Sequence, residues 1–435
     1  MPETIANRGQ GAVELELRLS GRRTTPLTGE AAIHVQSTMV ESFSEPALYT
    51  HLVRSQTVDY VDNLLREASA TGTPALRVRF GLGVPGNYAW LPWQEHTIEK
   101  YDSSVQGLGE QSGHLTAITS RDALFRIGRE SRVQAHRGLI SRIVRDIATR
   151  NDLESVVEDT ITGGLYIQSF VDDIEFVRTR LQPRAVNAKS RGNYLLYIRD
   201  NALHFHSPDF QTEIKEIHYH QSTGKELTQC DHSQQVIDKG AAGTNLVVYN
   251  PLSGAAREIL PEPAGALRLG NETQDFTKVP GARLFVPYHV GLNEDAGSLA
   301  AYPYETARMS ALELEYLSYS DLSLRLGDIV NMVVQPGDRQ SPWSGQYLVS
   351  RSAYDVDKGA LVGRFILLRG EWLTNRADFK PLKDQGVAVV ESSLAAQGQT
   401  LNQRLVQSSK LTRGQAGQTS RGVTLKSADP NTALR

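Results

Sequence analysis

The chain has 435 residues with 46 basic and 49 acidic side chains, so it lacks the basic excess that phosphate contacts demand of a nucleic-acid binder. At roughly 150 residues per domain this length implies two to four domains, and 40% hydrophobic residues supply ordinary cores. The single cysteine, Cys230, excludes an internal disulfide framework and a Cys-rich zinc module.

With 36 Gly and 18 Pro, many short strands joined by turns are favoured over a helical bundle. The start, Met1-Pro-Glu-Thr-Ile-Ala-Asn-Arg, has neither the basic segment nor the apolar run of a signal peptide. No stretch approaches the ~20 apolar residues that cross a bilayer. A soluble protein made in a cytoplasm, without a membrane anchor, is expected.

Residues 13–19 alternate with period two as a half-buried strand does, and 75–80 and 114–119 are further candidate strands. Between the first two, Val58, Val61, Leu64 and Leu65 fall at helical spacing within 57–70. Strands with one intervening helix describe a small barrel or sandwich. Residues 137–149 set Leu139, Ile140, Ile143, Val144 and Ile147 on one stripe of an amphipathic helix. A second helix is expected from Asp172, with an acidic first turn, basic residues in its last turn and Pro183 beyond it. Strands at 194–198 and 202–206 flank a tight turn at Arg199-Asp-Asn201. From 210 to 300 the pattern is turn-rich, with candidate strands at 214–220 and 245–249. A linking strand is expected within 306–317, and short strands across 322–372 form a compact β module. Residues 391–435 contain no aromatic side chain, six basic and two acidic ones, a composition that cannot fold alone.

Candidate chemistry is sparse. Gly81-Leu-Gly83-Val-Pro-Gly86 fits G-x-G-x-x-G after a strand, but no helix can start through Pro85, so a hairpin or loop is expected instead of a dinucleotide site. Five of the eleven histidines lie within 204–232. In His204-Phe-His206 and His218-Tyr-His220 the i and i+2 imidazoles share a strand face, so two such pairs on paired strands could ligate zinc or iron. The alternative is a row of imidazoles on the solvated face of a hairpin. Trp90, Trp93 and Tyr101 could make a sugar-stacking platform, against core or interface packing. Asp172-Asp173 fits helix capping better than acid–base work, and no nucleophile elbow, phosphate loop or HExxH motif occurs. Neither a catalytic set nor a cofactor is expected, and metal binding stays an alternative on His204, His206, His218 and His220.

Three stretches carry a resemblance: Gln-Ala-His-Arg-Gly-Leu-Ile-Ser-Arg-Ile-Val-Arg-Asp-Ile-Ala (134–148), Tyr166-Ile-Gln-Ser-Phe-Val-Asp-Asp-Ile-Glu-Phe-Val-Arg-Thr-Arg-Leu181 and Tyr194-Leu-Leu-Tyr-Ile-Arg-Asp-Asn-Ala-Leu-His-Phe205. Their order resembles the baseplate hub proteins of contractile-tailed bacteriophages, the late control protein D group. Leu326-Gly-Asp-Ile-Val-Asn-Met-Val-Val and Ser344-Gly-Gln-Tyr-Leu-Val349 look like that family's second barrel, although Leu326 stands where the family usually has proline. These motifs mark a fold and not a reaction.

The resemblance implies an α+β, mainly β chain with two small tube-like β-barrels, an α/β middle domain and a flexible C-terminal arm. The expected division is 1–125 for the first barrel with its inserted helix and 126–206 for the middle domain. Residues 207–305 form a turn-rich β insertion or part of the second barrel, 306–384 the second barrel and 385–435 the extended arm. It further implies a non-enzymatic virion protein: a homotrimeric ring joining the hexameric tail tube, or a tube-initiator protein, to the trimeric central spike. Baseplate wedge proteins and the tape-measure protein are the other expected partners, with assembly in the host cytoplasm and no specific nucleic-acid binding. Arg178, Arg180, Arg404, Lys410 and Arg413 are the interface candidates. A metal-dependent hydrolase and a carbohydrate-binding virion protein are the alternatives.

Overall fold

Alternating apolar and charged side chains make Gln10–Arg18 a strand (β1) that buries Val13, Leu15 and Leu17 on one face. Its edge pairs with β5 (Ala75–Val84) in a register that sets Glu14 against Arg79 and Glu16 against Arg77 on the opposite face, both as ion pairs. The computed structural model describes residues 10–18, 24–29, 32–55, 60–70, 74–106, 113–189, 192–208, 215–219, 233–237, 245–249, 256–259, 266–269, 272–275, 283–287, 302, 306, 312–319, 322–334, 344–357 and 359–368.

The first half adds β2 (Thr24–Pro26), β3 (Ala32–Ser42), β4 (Leu48–Ser55), helix α1 (Tyr60–Ala70), β6 (Asn87–Trp90), β7 (Gln94–Gln106) and β8 (Gly113–Arg121). The middle holds α2 (Ala123–Ile127), β9 (Arg132–Leu139), α3 (Ile140–Arg150), β10 (Glu154–Val157), β11 (Gly163–Val171), α4 (Asp173–Phe176), β12 (Leu195–Arg199) and β13 (Ala202–His206). Then come β14 (Lys215–Tyr219), β15 (Ser233–Ile237), β16 (Asn245–Tyr249), β17 (Ala256–Ile259), β18 (Ala266–Leu269), β19 (Glu272–Asp275) and β20 (Arg283–Pro287). The last strands are β21 (Leu312–Tyr319), β22 (Ile329–Val334), β23 (Gly345–Asp357) and β24 (Ala360–Leu368). The fold is α+β and mainly β.

The two β-rich ends of the chain share one 14-stranded sheet. Its path runs β15-β21-β24-β23-β3-β4-β8-β7-β5-β1-β2, with β14, β22 and β6 paired off it. The joint is the antiparallel ladder of β3 with β23, from Ser42 opposite Arg351 to Gln36 opposite Asp357. Backbone hydrogen bonds thus make the two β-rich halves, where two small barrels are expected, continuous with one another. The sheet also curls back, because the Gly11 amide donates to the Gly359 carbonyl at 2.9 Å and Gly11 packs on Leu361. One apolar core follows, drawing Leu15, Val53 and Ile118 from the first half and Tyr316, Tyr347 and Phe365 from the second.

The middle packs a separate core of Ile143, Val144 and Ile147 from α3 with Phe176, Leu181, Tyr194 and Phe205. α3 begins at Ile140, three residues later than its apolar stripe suggests, because Arg137, Gly138 and Leu139 complete β9. Asp172 caps α4 as expected, accepting from the Glu175 amide at 2.8 Å. The helix then widens into a π-helical turn at Val177–Leu181 and ends in a 3-10 turn through Pro183. Asp173 does no capping. It is buried and accepts hydrogen bonds from Arg150 (2.7 Å), Gln168 (2.9 Å) and Asn151 (3.1 Å), which outweigh burial and hold its carboxyl below the usual range. The glycine motif at 81–86 is the β5–β6 hairpin with Gly86 at φ +86°, as its turn residues imply.

Polar side chains line part of the first half's interior: Ser37, Glu41, His51, Gln94, His96 and Ser120 are all buried. The Ser37 hydroxyl lies 2.7 Å from His34 Nε2 and 2.6 Å from His51 Nδ1, and His96 stacks on Tyr49 with ring centroids 3.6 Å apart. Burial lowers His34 to about 4, His96 to about 3 and His51 well below its usual 6.5. Burial also raises Asp122, the cap of α2, to about 7.

These groups set a pH dependence for this half. The unfolded chain protonates the three histidines near pH 6.5 while the folded chain leaves them neutral, so their stabilisation is complete above pH 6.5 and is lost as pH falls towards 4. Asp122 works the other way, since the folded carboxyl takes its proton near pH 7 and the unfolded one near 3.8. The three histidines outnumber Asp122, and His204 and His206, whose pKa values burial also lowers, act in the same direction, so unfolding takes up protons and stability falls as pH drops from 6 to 5. Urea unfolding at pH 7, 6 and 5 measures this slope, and a flat profile contradicts it.

Candidate functional site

The most concentrated polar chemistry lies where the three parts of the molecule meet. Asp200 and Asn201 both take positive φ, 51° and 61°, which is the type I′ turn that closes the β12–β13 hairpin. Asn201 Oδ1 accepts from the Glu95 amide at 2.6 Å, and its Nδ2 donates to the Trp93 carbonyl at 2.7 Å. The turn is thereby fixed to the first half. On its other side Arg199 donates to Asp328 at 2.6 Å, fixing it to the second half.

Beneath the turn lies a buried ion cluster. The Arg325 side chain is 4% exposed and the Glu41 side chain 3%. Arg325 reaches Asp200 at 3.4 Å and Glu41 at 3.9 Å. Glu41 also accepts from Ser352 at 3.0 Å and from Tyr49 at 3.2 Å. Burial opposes the Arg325 charge, but Glu41 and Asp200 outweigh it and hold the guanidinium above its usual value. Gly327 stands at φ +87° against the Tyr197 hydroxyl, where any side chain would collide. Leu326 is buried with Leu195, Tyr197, Leu348 and Leu368 in the small core that joins middle to second half. Each charged group here meets another element of the fold, although Arg325 Nε and Nη2 make no hydrogen bond among the described residues, so the cluster positions modules.

The histidine candidates are divided. His204 stacks on Tyr197 at 4.9 Å, His206 Nε2 lies 2.9 Å from the Tyr197 hydroxyl, and burial lowers His204 to about 4. β13 pairs with β12 and β10, whereas β14, which carries His218 opposite Val333, pairs with β22. The two His-x-His segments therefore lie on different sheets and not on neighbouring strands. His220, Cys230 and His232 fall outside the described residues, and no cluster of three metal-binding side chains occurs among the described ones.

The tryptophans are covered as well. Arg79 lies over Trp90 and Trp93 at 4.6 and 4.5 Å, Arg77 over Trp93 at 4.9 Å, and Trp90 also covers Gly81. Tyr101 packs against the main core. Of the interface candidates, Arg178 is half-buried and donates to the Phe43 carbonyl at 2.9 Å, so it serves the junction. Arg180 is exposed and offers its carbonyl to Arg184 at 3.0 Å. Arg404, Lys410 and Arg413 lie outside the described residues. Sequence reasoning missed Glu41, Asn201 and Arg325. Only the turn at 199–201 carried a readable signal, its Asp-Asn pair.

No protein-family model matches the chain, and no curated protein matches it. Among solved structures, its fold is similar to the tail protein from Neisseria meningitidis MC58, with a TM-score of 0.55 and 9% identity over 84% of this chain and 99% of that one. It is also similar to the 43 kDa tail protein of prophage MuSo2 from Shewanella oneidensis, with a TM-score of 0.54 and 9% identity over 85% of this chain and all of the other. The likeness is one of fold.

The ion cluster makes a sharp expectation. Glu41→Gln leaves Arg325 buried without a full counter-charge and costs about 3–5 kcal/mol, whereas the paired change Glu41→Leu with Arg325→Met costs far less than two such losses. A double-mutant cycle by urea unfolding measures this, and strictly additive losses contradict it.

Proposed function

We propose that this chain is the structural hub of a contractile-tail baseplate: three copies form a ring that joins the hexameric tail tube, or a tube-initiator protein, to the trimeric central spike. The observation that carries the reading is the extent of the fold likeness, which takes in 99% of one tail protein and all of another. Two β-rich halves within one sheet support it further. Three chains would then offer six β modules around an axis, the number a sixfold tube requires, while retaining the threefold symmetry of a spike.

The role is architectural and not enzymatic. The buried Arg325–Glu41 cluster and the Asn201 turn hold modules in register, as a part that bears load between a tube and a spike needs. Wedge proteins of the baseplate and the tape-measure protein are the remaining partners, with residues 385–435 as an arm that orders on a neighbour, and Arg404, Lys410 and Arg413 its basic contacts. Assembly in the host cytoplasm precedes incorporation into the virion tail.

Light scattering after size exclusion tests the reading on the full chain, alone and with a co-expressed spike. A mass near three times 48.0 kDa, alone or with the spike bound, is the expected result. A monomer under both conditions overturns the trimeric hub.

A further inference from the structure

β9 and β11 form a two-stranded ribbon that pairs with no other strand among the described residues. Its inner face is occupied: His136, Tyr166 and Gln168 are buried, and His136 stacks on Phe176 at 4.9 Å. Its outer face is open and apolar. Leu165 and Ile167 stand 47% and 61% exposed, and the register sets them opposite Arg137 and Ala135. At the ribbon's bulge Phe170 is 80% exposed and held at φ 58°, a left-handed conformation that a bulky side chain adopts only under constraint. Of the nine large apolar side chains that stand exposed among the described residues, only Ile33 and Val84 lie outside 133–170. Such a concentration marks a contact surface and not ordinary scatter.

The same module carries a matching patch. β10 ladders only with β13 and so keeps one edge free among the described residues. Glu154 and Val156, two residues apart on this strand, share a face, and both are exposed, Val156 at 51%. Arg137 at the centre of the ribbon and Glu154 on β10 have no ion-pair partner among the described residues. The ribbon is apolar with a spare cation, and β10 offers one exposed apolar side chain, Val156, beside a spare anion.

We propose that the outer face of the β9–β11 ribbon docks on β10 of a second copy of this chain, with Arg137 paired to Glu154 and Leu165 and Ile167 covering Val156. The contact is heterologous, since each copy gives its ribbon to one neighbour and its β10 to the other. This is the geometry that closes a ring. It rests on the multi-copy reading above and assigns the surface through which the copies meet. Phe170, presented by a strained bulge, is the apolar anchor at the ribbon's end.

Light scattering across a concentration series tests it with the full chain, alone and with a co-expressed spike, using Arg137→Glu, Glu154→Arg, their combination and Ile167→Ser. All these positions are exposed, and unchanged thermal melting of each variant confirms an intact fold. Each single change is expected to weaken association by about tenfold or more, and the combined charge swap to restore it to within about threefold of wild type. If the wild type assembles and every variant assembles equally well, this contact is overturned while the multi-copy reading stands. The contact is likewise overturned if the charge swap rescues nothing, or if the variants lose only the spike and keep their own assembly. A wild type that is monomeric under both conditions overturns the multi-copy reading and this contact with it.

Discussion

Three residues of one turn hold three parts of the molecule together. Asn201 binds the backbone of residues 93 and 95 in the first half, Arg199 binds Asp328 in the second, and Asp200 meets Arg325 between them. The turn can do this because a type I′ geometry, with positive φ at both central residues, projects short polar side chains outward from a tight hairpin. Arg325 and Glu41 then lie beneath it, where water does not screen them. Side-chain hydrogen bonds from so rigid a base fix orientation as well as distance. The β3–β23 ladder supplies the backbone continuity between the halves, and the turn supplies the angle at which the middle module rests on them.

Polar groups inside the first half have a cost and a use. Imidazoles and hydroxyls buried among strands contribute less than alkyl groups would, and the Nε2 of His51 and the Nδ1 of His96 have no hydrogen-bond partner among the described residues. What they add is specificity. Ser37 between His34 and His51, and Glu41 between Tyr49, Ser352 and Arg325, admit one register of β3 against β4 and β23. A one-residue slip would turn each of these groups to the opposite face. In the ring proposed above, where the part would repeat identically, a single register would matter more than a few kcal/mol.

That same polarity decides what could be read from the sequence. Strands with an apolar inner face were legible: β1 with Val13, Leu15 and Leu17, β5 with Leu76, Val78 and Phe80, and the β22–β24 module. So were α3 and the 199–201 turn. β3 and β4 were not, because Ser37, Glu41, His51 and Ser55 point inward and break the alternation that marks a strand. β9 and β11 were hidden for the opposite reason, since their outer face is apolar and their inner face carries His136 and Gln168. The start of α3 was misjudged because Leu139 extends its stripe into a strand. The Arg325–Glu41 pair, 284 positions apart in sequence, has no local signature at all. Local patterns revealed strands and a helix in the middle module and the second half, but which faces those strands leave uncovered follows only from their pairing.

Through these contacts the two β-rich halves and the middle module form one mechanical unit. Native-state hydrogen exchange of the full chain measures this most directly, comparing the slowest amides of β4 and β8 with those of β23 and β24. One shared opening free energy is expected for both sets, with a joint fall when Asn201→Gly keeps the turn but removes its hydrogen bonds. Separate opening energies, with only one half responding to Asn201→Gly, would contradict it.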